Sequence, residues 1–101
     1  MKFSMSNKIR SVVKFKIKSG CEEEFLAAHN FTNEHKSPFL SFRAIRVDGK
    51  LVVHIAEYEN IEKVFATQDQ GLDWLTSIEH LIEYYHDSRT EAFSGIQIYR
   101  H

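Results

Sequence analysis

The dipeptide Asp48-Gly49 constrains this chain more than any other pair of residues in it. It stands in "FLSFRAIRVDGKLVVHIAEY", between two runs that alternate apolar and polar side chains. Asp-Gly suits the positive φ angles of a two-residue type I′ turn. The spacing predicts an antiparallel hairpin with Val47 opposite Lys50, Ile45 opposite Val52, Arg43 opposite His54 and Phe42 opposite Ile55. In that register one face carries Leu40, Phe42, Ala44, Leu51, Val53 and Ile55, a plain core face. The other carries Ser41, Arg43, Ile45, Val52, His54, Ala56 and Tyr58 and is mixed. A guanidinium opposite His54 disfavours the imidazolium, so His54 is expected to be neutral at pH 7.

The segments around the hairpin supply the remaining elements. "IRSVVKFKI", residues 9 to 17, alternates as a strand with unequal faces, Ile9, Val13, Phe15 and Ile17 against Arg10, Val12, Lys14 and Lys16. Ser19 and Glu22 have capping-box spacing, and Glu22, Glu23 and Glu24 sit where a helix dipole favours acids, which predicts a helix from about Gly20 to Lys36. Pro38 stops that helix before the second strand. Asn60 caps a short helix through "IEKVFATQ", Gly71 marks a break, and "LDWLTSIEHLIEYYHD" makes a longer helix. "AFSGIQIYR" reads as a fourth strand. Residues 1 to 8 are expected to form a loose leader, and 9 to 101 a single domain.

The order β-α-β-β-α-β is the split-βαβ, ferredoxin-like arrangement, an α+β fold with a four-stranded antiparallel sheet and both helices on one face. Two helices cover one side of such a sheet. The uncovered side, with Val12, Ile45, Val52, Ala56 and Tyr58 among its charges, is too apolar to remain in water, so a second copy is expected to pack there, sheet to sheet. Thirteen basic and fourteen acidic side chains give a formal charge of −1, which offers no overall electrostatic footprint for nucleic acid. The lone Cys21 forms no intrachain disulfide, and no apolar run has the length of a signal peptide or of a membrane span, so a cytoplasmic location is expected.

The strand "VVKFKIKSG" leading into an acidic helix start, the hairpin strand "LVVHIAEYEN", and the helix followed by "AFSGIQIY" resemble the dimeric α+β barrel superfamily, in particular its antibiotic-biosynthesis-monooxygenase-like proteins. The resemblance covers residues 9 to 100 and lies in layout more than in motif. It implies a dimer with a small pocket between helices and sheet in each subunit. Members include oxygenases that need no cofactor and haem-degrading enzymes. The haem-degrading branch uses an asparagine in the first strand, and "IRSVVKFKI" has none.

Six histidines invite a metal reading. His80 and His86, like His29 and His35, are six apart and so diverge around a helix, and no metal site is expected. On a helical wheel Trp74, Leu75, Ile78, Leu81, Ile82 and Tyr85 share an apolar arc, His80 faces water, and Glu79 and His86 lie together at the border. The pocket that the resemblance implies is expected to be lined by Phe25, Trp74, Ile82, Tyr85 and His86. His86, His35 and His54 are the candidate bases. The first reading is a cofactor-independent, monooxygenase-like enzyme acting on a small aromatic molecule. The second is a binding or regulatory dimer on the same scaffold without catalysis. A third, an RNA-binding sheet, ranks last because "LVVHIAEY" lacks strand aromatics at stacking positions.

Overall fold

The computed structural model describes residues 8 to 29 and 39 to 99. Its elements are β1 (Ile9–Ile17), α1 (Glu22–Ala27), β2 (Ser41–Arg46), β3 (Leu51–Tyr58), α2 (Ile61–Ser77), β4 (Ile82–Glu83) and β5 (Glu91–Ile96), with a single 3-10 turn at Glu79–Leu81. All strand pairs are antiparallel. β1 lies between β3 on one side and both β4 and β5 on the other, and β2 forms the edge beyond β3. This is the expected ferredoxin-like α+β fold, with the fourth strand position shared between two short segments. No helix among the described residues is long and apolar enough to cross a membrane.

The hairpin differs from expectation by one residue. The pairs are Phe42 with Ala56, Arg43 with Ile55, Ala44 with His54 and Arg46 with Val52. The cause is the loop. Asp48 Oδ1 accepts from the backbone N–H of Lys50 at 2.8 Å and of Leu51 at 2.9 Å, and Val47 N donates to Leu51 O at 2.9 Å. The aspartate side chain thus satisfies the turn itself and draws Lys50 into a three-residue loop. Gly49 is not among the residues with positive φ, as a type I′ turn would require. A one-residue slip exchanges the faces of a strand. Val52, His54 and Ala56 therefore face the helices, while Leu51, Val53 and Ile55 join Val12 on the open face.

The helix starts are set by local chemistry. Gly20 turns the chain at φ 85°, a left-handed conformation that glycine adopts without a side-chain clash. Helix α1 consequently begins after Cys21, two residues later than a Ser19 cap would place it, and no side chain caps it. Its three first-turn glutamates lie as expected. The helix closes at Ala27 with Ala28 as its C-cap, short of the predicted Lys36, and residues 30 to 38, with His35 and Pro38, fall outside the described residues. Helix α2 is capped by Asn60, whose Oδ1 accepts from Lys63 N at 3.1 Å. It runs without a break through Gly71.

After Ser77 the chain departs from the predicted helix. Ile78, Leu81 and Ile82 are all buried, a spacing that suits one helical face, but Ile82 and Glu83 can join β1 only as a strand. The sheet wins. Ile82 pairs with Ile17, Lys18 N donates to Leu81 O at 2.9 Å, and Tyr85 and Ser88 exchange backbone bonds across a two-residue turn. His86 occupies that turn at φ 51°.

The core gathers at one end of the sheet. Phe15, Ile17, Phe25, Val52, Ile78, Leu81 and Ile82 form it, with Val13, Cys21, Ala28, Trp74 and Leu75 packed around them. Helix α2 itself buries no residue completely. Beneath it the sheet presents small side chains from three strands, Ser11 and Val13, Ala56, and Ala92 and Ser94. They leave space between helix and sheet.

Candidate active site: a histidine pair at an aromatic cleft

That space is a cleft of about 710 Å³. Its floor is the set of small residues just named, and its walls include Phe39, Phe42, Tyr58, Phe65, Leu72 and Trp74. Polar groups are few: His54, Thr67, Gln68, Gln70 and Thr90, with Ser11 and Ser94 on the floor. A mostly apolar concavity with a small number of polar groups is the usual form of a small-molecule site.

His54 is the buried polar residue of the described chain, 7% exposed. It stands at the inner end of the cleft inside a set of rings, with centroid distances of 4.5 Å to Phe15, 5.0 Å to Phe42, 5.6 Å to Trp74 and 4.8 Å to His29. Trp74 is fixed by a 3.1 Å hydrogen bond from its Nε1 to Ala28 O and meets Phe15 edge to face at 5.9 Å.

His29 Nδ1 lies 2.8 Å from Phe25 O, and its Nε2 lies 2.7 Å from Nε2 of His54. A carbonyl only accepts, so Nδ1 of His29 carries hydrogen and donates to Phe25 O. With His29 neutral, its Nε2 is an acceptor, and His54 donates to it from Nε2. Nδ1 of His54 is then left with a lone pair. No sealed side-chain nitrogen or oxygen among the described residues lacks a hydrogen-bond partner, and the described bond of His54 is made through Nε2. Nδ1 is therefore open to the cleft.

Burial holds the His54 imidazole well below its ordinary pKa, at about 3, with the neighbouring His29 a smaller contributor in the same direction. His54 is neutral at pH 7, as the sequence implied, but for a different reason. Arg43 opposes Ile55 and lies on the other side of the sheet from His54. Tyr58, four residues along β3 on the same face, has its phenol pushed up by burial, with a hydrogen bond to Thr67 working against the shift.

The other expected pocket residues are dispersed. Trp74 lines the cleft, whereas Phe25 and Ile82 are sealed in the core behind it, at 0% and 1% exposure. Tyr85 is half-buried beside Lys16, whose Nζ sits 4.3 Å from its ring centre. His86 is exposed in its turn. Glu79, expected beside His86, instead accepts from Tyr84 Oη at 2.6 Å and lies 3.8 Å from Arg89. His80 is exposed and lies 3.3 Å from Glu24. Sequence reasoning passed over His29, weighed only as a partner for His35, and the ring residues Phe15, Phe39 and Phe42. The missing signal was the register, since only a slipped hairpin puts His54 on the same face as Phe42.

Among the described residues no group of three or more His, Cys, Asp or Glu side chains could hold a metal ion. No family model matches the sequence, and no curated protein matches it. Solved structures do share the fold. A candidate antibiotic biosynthesis monooxygenase from Chloroflexus aurantiacus J-10-fl superposes with a TM-score of 0.70 over 93% of this chain and 96% of its own, at 13% identity. A nipsnap family protein of unknown function from Agrobacterium tumefaciens str. C58 superposes with a TM-score of 0.61 over 98% of this chain and 94% of its own, at 14% identity. At such identities the likeness is one of fold, and it is the fold that the sequence resemblance implied.

Proposed function

We propose that the protein is a monooxygenase-like enzyme that binds a small electron-rich phenol or quinol in the helix–sheet cleft and oxygenates it with no cofactor. The observation that carries this reading is the buried imidazole of His54 lining a mostly apolar cleft walled by aromatic rings. A planar phenol stacks on such walls, and Nδ1 of His54 accepts its hydroxyl hydrogen. An ionised phenol gives up electrons to dioxygen far more readily than a neutral one. The overall reaction is a phenol plus dioxygen giving a quinone plus water, with one oxygen atom entering the ring and the substrate's own O–H and C–H bonds supplying the electrons.

Oxygen uptake with a panel of quinols and polycyclic phenols, with the quinone identified by mass spectrometry, tests this. Uptake that His54→Phe abolishes supports it, and no uptake with any member of the panel removes it. The paucity of polar groups in the cleft favours a second reading, a binding protein without turnover. Phenols that bind stoichiometrically and leave unchanged would establish that one.

We further propose that two copies associate through the open face of the sheet. Val12, Val53 and Ile55 are only half-buried there, and Ile45 and Phe93 are 46% and 61% exposed. Two of the surrounding basic side chains are paired within the chain, Arg10 with Glu57 and Lys14 with Glu91, each at 3.4 Å, and Arg43 donates to Phe42 O at 3.1 Å. An apolar patch framed by polar side chains largely bonded within the chain is suited to a second copy of itself.

A further inference from the structure

Resting on the reading of the cleft as a phenol site, we infer that His29 is the final acceptor of the substrate's hydroxyl proton, reached through His54. The geometry supplies each link. A phenol in the cleft meets Nδ1 of His54, Nε2 of His54 lies 2.7 Å from Nε2 of His29, and Nδ1 of His29 lies 2.8 Å from Phe25 O.

The step moves two protons and no electrons between molecules. The phenol O–H bond breaks, its electron pair stays on oxygen, and its proton goes to Nδ1 of His54. The proton on Nε2 of His54 passes to Nε2 of His29. His54 ends neutral in its other tautomer. His29 ends as an imidazolium, donating to Phe25 O from one nitrogen and to Nε2 of His54 from the other.

The direction of the relay follows from burial. His54 is enclosed, and charge placed on it would lose its hydration, whereas His29 is only half-buried and its charge would retain part of it. The Phe25 carbonyl stabilises the positive end by a charge-assisted hydrogen bond. No other charged side chain faces His54 from the described elements. β1 presents Val13 and Phe15, β2 presents Phe42 and Ala44, α2 presents Trp74, and β3 adds the phenol of Tyr58 four residues away. His29 is thus a positioning residue, acting on substrate through His54.

The test uses 4-nitrophenol, whose phenolate absorbs visible light, with the full chain. Bound to the native protein it is expected to ionise with a constant at least tenfold larger than in water, and nitrogen NMR of the imidazoles should show His29 doubly protonated and His54 protonated on Nδ1. His29→Gln keeps an acceptor for Nε2 of His54 but takes no proton. It is expected to bind the probe within about threefold of native and to lose the enhanced ionisation.

Bound probe that stays un-ionised on the native protein overturns the relay while leaving the phenol site standing. Equal ionisation in His29→Gln does the same. Failure of the native protein to bind either 4-nitrophenol or the larger quinols overturns the reading of the cleft and the relay with it. Should His29→Gln not fold, the NMR protonation states of the native complex decide alone.

Discussion

His29 and His54, from α1's end and the middle of β3, bring their Nε2 atoms to 2.7 Å. One ring is enclosed and the other half-buried. Twenty-five residues of chain separate them, and their meeting ties the segment that follows α1 to the sheet. The pair therefore links the acid–base state of the cleft to the packing of the fold.

The first consequence is for stability against pH. His54 has a folded pKa of about 3, below its ordinary 6.5, so between these values the unfolded chain binds more protons than the folded one. Stability then rises with pH through this window, is fully present above about 6.5, and is lost as pH falls. By pH 4.5 the loss from this residue is on the order of 2–3 kcal/mol. Urea titrations at pH 7 and pH 4.5 should show a drop of that order in the native chain and a distinctly smaller one in His54→Phe. Equal drops would show that His54 is not enclosed.

The segment after Ser77 yields a second prediction. Ile82 is 1% exposed and pairs with Ile17, so Ile82→Ala should cost about 2–5 kcal/mol, the range for deleting a buried aliphatic side chain. Glu83, its exposed neighbour in β4, should tolerate alanine with little change. Amide exchange would separate the two arrangements further, since in a strand Ile17 and Ile82 are protected together, which an uninterrupted helix through Tyr85 would not produce.

A third concerns the open face. Phe93→Lys and Ile55→Lys introduce charge where a second copy would pack, without touching the core cluster. Both should lower the self-association constant by at least tenfold while leaving the far-ultraviolet circular dichroism unchanged. Sedimentation of the native chain at micromolar concentration, showing only monomer, would end the dimer proposal.

A fourth tests the cleft by filling it. Ala92 pairs with Val13 on the floor and points under α2. Ala92→Leu adds volume where the site is open, so folding should be nearly unaffected and binding of an aromatic phenol should weaken by at least tenfold in isothermal calorimetry. Unchanged affinity would locate the ligand elsewhere.

Much of the architecture was legible in the residues. Alternation in 9–17, Asn60 before an apolar helix, and two alternating runs around Asp48-Gly49 lead to the observed strand order. The register was not legible, because it turned on whether Asp48 would bond the N–H groups of Lys50 and Leu51 or leave a two-residue turn. That single choice decides which side His54 faces. Residues 78–86 satisfied a helical period and a β-prone run at once, and the contact of Ile82 with Ile17 settled the matter across 65 residues of sequence. The cleft itself depends on small residues contributed by β1, β3 and β5, a coincidence that no local pattern contains.

Trp74 is the chain's single tryptophan, and the fold holds it in the cleft wall, hydrogen-bonded to Ala28 O and 5.2 Å from the ring of His29. All indole emission from this protein therefore originates beside the histidine pair. A ligand that stacks in the cleft, or a proton that turns a nearby imidazole into an electron-accepting cation, quenches or shifts that emission directly. The protein thus carries a built-in optical probe, and both the occupancy of the cleft and the charge of the pair can be followed by fluorescence with no label attached.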